Sequence, residues 1–176
     1  LASAYLVTGD EKYVKQAFVH INAWFTDSLT RMNPNLLYAQ AIKGVTTGRG
    51  IGIIDTIHLM EVAQGIICLE NAACVDKENL RAIKNWFSEY TNWMTTHGNG
   101  IDEMNAQNNH GACWVMQLAA FAKLTEDKDK LELCRTRYKN ILLPQQMAED
   151  GSFPQEIART KPYGYSLFNL DVMTTI

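Results

Sequence analysis

Apolar residues recur at helical spacing along most of the chain, and stretches of two kinds alternate. From Asp10 to about Ser28, the residues Tyr13, Val14, Ala17, Phe18, Ile21, Trp24 and Phe25 mark one face of an amphipathic helix. A second such helix is predicted from Asp76 to about Thr96, with Leu80, Ile83, Phe87, Tyr90 and Met94 inward. A third follows Asp127, carrying Leu131, Cys134, Tyr138, Ile141 and Leu142 on its apolar side before Pro144 stops it. Each opens with an acidic cap followed closely by Lys, and Gly9 ends a short helix that precedes the first. Between them lie Asp55–Leu69, apolar on most sides, Ala112–Leu124, apolar nearly all round, and Ser166–Met173, which begins in the same way. A helix with one apolar stripe lies outside, whereas one apolar on every side is buried. The order outer, inner, outer, inner, outer, inner predicts an all-α fold of two concentric layers. That is an α/α toroid, an incomplete barrel of helical hairpins spanning 1–176 as one domain. A plain helical bundle is the alternative, and strand signals are scarce.

Three connections are too long and polar to be plain turns: Thr30–Ile54, His97–Asn109 and Pro144–Tyr165. In a toroid all three open on one rim, which is where chemistry is expected. The second delivers Asn108, Asn109 and His110 to the start of an inner helix, where free N–H groups and the helix dipole favour anions. Capping by an Asn and a satisfied core His explain the same residues. The third holds Glu156, Arg159, Tyr163 and Tyr165. Arg159 can clamp a carboxylate with a bidentate fork, and a fixed cation beside a tyrosine favours its phenolate. The plainer alternative is an Arg159–Glu156 surface pair with tyrosines packed over an inner helix. The first, with the helix start it leads into, carries Tyr38, Gln40, Arg49, Asp55 and His58 among four glycines. An aromatic ring amid amides and arginine suits an anionic sugar, although Asp55 can equally cap the inner helix with His58 one turn on.

Composition narrows the classes. With 47% hydrophobic residues in 176, the chain can bury a core and does not have the makeup of a disordered one. Sixteen Lys and Arg against 19 Asp and Glu do not make a nucleic-acid footprint. No run of about 18 apolar residues occurs, so no membrane span is expected. The four cysteines show no C-x-x-C spacing. Asp55, His58 and His110 are the only set with a hint of metal spacing, and H-E-x-x-H is absent, so no metal is expected. There is also no G-x-S-x-G elbow and no obvious pair of hydrolytic carboxylates. The chain starts at Leu1 within a helical pattern and stops at Ile176 in an apolar stretch, so it reads as an excerpt of a longer protein.

The segments Asn33-Pro34-Asn35-Leu36-Leu37-Tyr38-Ala39-Gln40-Ala41 and Gly48-Arg49-Gly50-Ile51-Gly52-Ile53-Ile54-Asp55 resemble the alginate lyase domain of bacterial polysaccharide lyases. So do Asn108-Asn109-His110-Gly111 and Arg159 followed by Tyr165-Ser166-Leu167-Phe168-Asn169-Leu170. The likeness extends over the whole chain and is greatest to polysaccharide lyase family 38, with family 5 more distant. It implies an α/α toroid that cleaves a 4-linked uronate polymer by β-elimination, without a cofactor. By this resemblance Asn109 and Arg159 neutralise the uronate carboxylate and Tyr165 protonates the departing O4, with Tyr163 as a second candidate. Where H5 and O4 share a face, as in mannuronate and glucuronate, Tyr165 can also be the base. Where they do not, as in guluronate, His110 is the natural base. Tyr38, Gln40, Arg49, His58, Asn108 and Tyr163 are expected to bind the polymer. The resemblance further implies an anionic polysaccharide partner and a periplasmic or secreted location. A non-catalytic carbohydrate-binding protein and an α/α-barrel glycoside hydrolase are the rival functions.

Overall fold

The computed structural model describes residues 1–176 and is helical throughout, its one β-type pairing being an isolated bridge between Ile42 and Thr46. Two short-to-medium helices open the chain, α1 (Ala2–Thr8) and α2 (Lys12–Phe25). A 3-10 turn over Gly50–Thr56 leads into α3 (Leu59–Leu69), followed by α4 (Lys77–Thr96), α5 (Gly98–Met104) and α6 (Asn109–Thr125). The chain continues through α7 (Lys128–Arg137), α8 (Leu143–Gln146), α9 (Pro154–Ile157) and α10 (Pro162–Thr175). Helix α6 is the hub: α3 and α10 pack on it as fellow inner helices, and α4 and α7 back it from the outer layer. Helix α2 packs on α4 in that same outer layer.

The expected alternation is clearest at the centre. Thirteen residues of α6 are buried, among them Trp114, Leu118, Phe121 and Leu124, as its all-round apolar sequence requires. The outer α4 buries one stripe containing Leu80, Ile83, Phe87, Tyr90 and Met94. Between them Phe25, Trp86, Phe87, Tyr90 and Phe121 make edge and tilted ring contacts with centroids 4.7–5.7 Å apart. Thr56, Tyr90 and Gln117 are hydrogen-bonded to one another here, whereas the buried indole N–H groups of Trp93 and Trp114 have no partner. Thr56 donates to Gln117 at 2.8 Å and shares a 2.8 Å bond with the Tyr90 hydroxyl, while Gln117 donates to the Ile53 carbonyl at 3.1 Å. This knot pins the 3-10 turn onto α6. Burial pushes the Tyr90 phenol well above its ordinary value, which keeps it neutral.

Four features depart from the expectations. The His97–Asn109 connection contains α5, whose helical pattern is masked by Gly98 and Gly100. His97 caps it by accepting the Asn99 N–H at 3.1 Å, and Gly100 is needed because a Cβ there would lie 2.1 Å from the Met94 carbonyl oxygen. Pro144 does not stop the third outer helix. A π turn over Tyr138–Leu142 widens the coil, relieving the clash a proline ring makes with the carbonyl four residues back, and α8 continues to Gln146. Trp24, expected inward, is 56% exposed. Helices α3 and α10 bury only part of their apolar surface: α6 and α9 cover one side of α10, and Leu167 and Leu170 stay exposed.

Candidate active site at the start of α6

The N-terminus of α6 is built on two buried carboxylates. Asn108 is the N-cap, its side-chain oxygen accepting the His110 N–H at 3.2 Å. Asn109 is buried and held twice by Glu156, whose Oε1 accepts the Asn109 backbone N–H at 2.6 Å and whose Oε2 accepts from Asn109 Nδ2 at 2.8 Å. Glu156 itself has no exposed surface. A buried carboxylate must have donors, and these bonds to a charged acceptor are of the stronger kind. The Asn109 amide is thereby fixed in orientation.

His110 is held by the second carboxylate. Its Nδ1 lies 2.6 Å from Oε1 of Glu103, a residue of α5 that is 1% exposed. The turn that joins α5 to α6 folds back on the start of α6 because Gly111 has no Cβ, which would stand 2.2 Å from the Ala106 carbonyl oxygen. Cys113 follows within the same turn, and its thiol is pushed up to about 12, first by burial and then by the nearby charges of Glu103 and Glu156. It stays a neutral thiol and is no nucleophile.

Arg159 and Tyr165 join this cluster through Glu156. The Arg159 guanidinium is centred 3.9 Å from the Tyr165 ring centroid, a cation–π contact, and its NH1 is 3.8 Å from Glu156 Oε2. That distance is beyond hydrogen-bonding range, so the guanidinium donors are not consumed by the ion pair. An amide relay fixes α10 against α6. Asn169 donates to Gln146 Oε1 at 3.2 Å, and Gln146 Nε2 donates to the Asn108 carbonyl at 2.9 Å. Asn169 stands one helical turn beyond Tyr165, so the relay sets the register of Tyr165 relative to the α6 cap. Tyr163, by contrast, is 77% exposed.

The glycine-rich segment forms a separate cluster. Arg49 donates from Nε to the Gln40 carbonyl at 3.0 Å and from NH2 to Gln40 Oε1 at 3.2 Å, and Gln40 Nε2 donates to Asp55 at 3.1 Å. These bonds hold Gln40 at φ 51°, a left-handed conformation uncommon for a residue with a side chain. Asp55 is thus a partner of Gln40 and does not cap α3. Tyr38 is 74% exposed, and the exposed His58 lies 3.9 Å from Glu61. Asp55, His58 and His110 each have a separate partner, and no three of the chain's His, Cys, Asp and Glu side chains converge as a metal set. The 3-10 turn packs on α5, which connects this cluster to the helix that carries Glu103.

Of the two central carboxylates, Glu156 is expected from the sequence as a surface partner of Arg159 and proves buried and bonded to Asn109, whereas Glu103 is an undistinguished acid of a polar connection. Glu156 stands three before Arg159, a spacing that hints at their pairing. Glu103 stands seven before His110 across a turn, and no local spacing rule links them. Gln146 and Asn169 gave no chemical signal at all.

The packing of inner on outer helices and the position of this site at the inner-helix ends define the class as an α/α toroid. A family profile described as Alginate lyase matches residues 1–176, so the chain belongs to the alginate lyase family. A crystal structure of an alginate lyase from Bacteroides ovatus is similar to it with a TM-score of 0.92 and 36% sequence identity. The alignment covers 99% of this chain and 47% of that one, so the chain spans about half the length of that relative. No curated protein matches the chain.

Proposed function

We propose that the protein is a polysaccharide lyase that cleaves a 4-linked uronate polymer, polymannuronate or glucuronan, by β-elimination. The observation that carries this reading is the Arg159 guanidinium over the Tyr165 ring, 3.9 Å from its centroid, beside the Glu156-anchored Asn109. The hard step is removing H5, which is weakly acidic while the neighbouring carboxylate is ionised. Arg159 and the second N–H of the Asn109 amide donate to that carboxylate and stabilise the enolate-like transition state. Tyr165 gives its proton to O4 as the C4–O4 bond breaks and the C4=C5 double bond forms. On mannuronate or glucuronate the same oxygen takes H5, and the guanidinium offsets the charge that develops on it. On guluronate His110 takes H5 from the opposite face. Tyr38, Gln40, Arg49, His58, Asn108 and Tyr163 contact flanking sugars in this reading, Asn108 chiefly by holding the cap. A polymeric uronate substrate fits a periplasmic or secreted enzyme.

The engagement of both buried carboxylates favours elimination over hydrolysis. A glycosidase needs one carboxyl group as acid and another facing the sugar as base or nucleophile. Here Glu156 is committed to Asn109 and Glu103 to His110. Digestion of polymannuronate and glucuronan separates the two by the mass of the products. Elimination adds no water across the cleaved bond, so the fragment with the new non-reducing end is one water lighter than its saturated counterpart, whereas saturated fragments alone would overturn the lyase reading.

A further inference from the structure

The contact between Glu103 and His110 carries a consequence for proton transfer. The Glu103 carboxylate is 1% exposed, so water does not satisfy it, and its Oε1 is 2.6 Å from His110 Nδ1. An ionised carboxylate has only lone pairs to offer, so the proton in this bond sits on Nδ1. Close backbone approaches on both sides of the pair bring the two residues together. Gly100 lets α5 lie against the Met94 carbonyl, and Gly111 lets the start of α6 lie against that of Ala106. We infer that Glu103 is a positioning residue that holds His110 as its Nδ1–H tautomer and leaves Nε2, with its lone pair, as the nitrogen presented to the sugar.

For turnover this rests on the lyase reading, but the tautomer exists without substrate. When His110 acts as base, Nε2 takes H5, the C5–H electron pair becomes the C4=C5 double bond, and O4 leaves with the Tyr165 proton. The imidazolium so formed is paired with Glu103 from the start, and both groups return to their resting states by exchanging a proton with water. When Tyr165 acts alone, the same anchor keeps the His110 ring from rotating into the space the uronate carboxylate needs.

The test uses 15N-histidine-labelled protein and two-bond 1H–15N correlation under conditions where the ring is neutral. There are four histidines, and His110→Gln assigns the signal. His110 is expected with a protonated Nδ1 and an unprotonated Nε2. In Glu103→Met, which has similar volume and no acceptor, the Nε2–H form is expected to predominate. In that variant kcat on the polymer falls about 100-fold while KM stays within about threefold. An Nε2–H His110 in the wild-type protein, or a Met variant that keeps the wild-type tautomer and kcat, would overturn the inference. Should the Met variant not fold, the wild-type tautomer alone decides. Failure of the protein to cleave any uronate polymer would remove the lyase reading and leave the tautomer assignment standing.

Discussion

The start of α6 and the glycine-rich segment before α3 both gather arginine, amide and aromatic side chains, yet they are held together by different means. At α6 the anchors are carboxylates with at most 1% exposure, and Asn109, Arg159 and His110 are arranged around them. In the glycine-rich segment Arg49 and Gln40 bind one another at a part-exposed surface, and Tyr38 is 74% exposed. A buried carboxylate has few ways to satisfy itself, so it fixes its partners in a single geometry. An exposed amide can exchange its partner for water at little cost. In the proposed reading, chemistry that needs groups placed to a fraction of an ångström falls to the α6 cluster, and sugar binding that tolerates adjustment to the glycine-rich one.

Substitutions can break that division. The largest effect is expected for Tyr165→Phe, which removes the hydroxyl proposed as proton donor and should lower kcat by about a thousandfold with oligosaccharide binding by calorimetry nearly unchanged. Retained turnover would move the role to Tyr163. Next comes Glu156→Ala, which strips Asn109 of both acceptors. It should cost about 3 kcal/mol in urea unfolding and reduce kcat as well. A neutral result would mean the carboxylate is not the anchor described. Arg49→Ala should raise KM about fivefold and leave kcat within about twofold, the mark of uniform binding. A fall in kcat of the size expected for Tyr165→Phe would erase the distinction between the clusters.

The smallest effect is expected on the outer layer. Asp127 caps α7 by accepting the Lys130 N–H at 3.0 Å, and Lys130 Nζ lies 2.6 Å from its other oxygen. The side-chain bond to Lys130, and then the backbone one, hold the Asp127 carboxyl below its usual value. Because the folded value is the lower, the stabilisation is present above the unfolded value of about 3.9 and is lost as pH falls through the folded value. Asp127→Ala should cost about 1 kcal/mol at neutral pH with kcat/KM unchanged, and the gap to wild type should close in acid.

What the sequence made legible follows the range of the interactions. The stripe of α4 and the all-round apolar α6 are local patterns, and both lie where periodicity places them. Asn109, His110, Arg159 and Tyr165 are named only by the family resemblance, and the fold links them by contacts through Glu156 and their neighbours in the chain. The Glu103–His110 and Asn169–Gln146–Asn108 contacts were not legible, because they join residues whose proximity is created by the packing of α5, α8 and α10 on α6. Helix α5 was hidden for a local reason: the glycine that permits its close contact with α4 is a poor helix former. Trp24 shows the converse limit, since a residue on an apolar stripe is buried only if something packs against it.

The central claim is that the α6 cluster performs β-elimination, and its product carries a C4=C5 double bond conjugated to the uronate carboxylate. The most direct measurement is the growth of ultraviolet absorbance from that group when the protein is mixed with polymannuronate, polyguluronate and glucuronan, each beside Tyr165→Phe. A steady rise on polymannuronate or glucuronan that vanishes in Tyr165→Phe is the expected result. No absorbance on any of the three polymers, or an equal rise in the variant, would contradict the account.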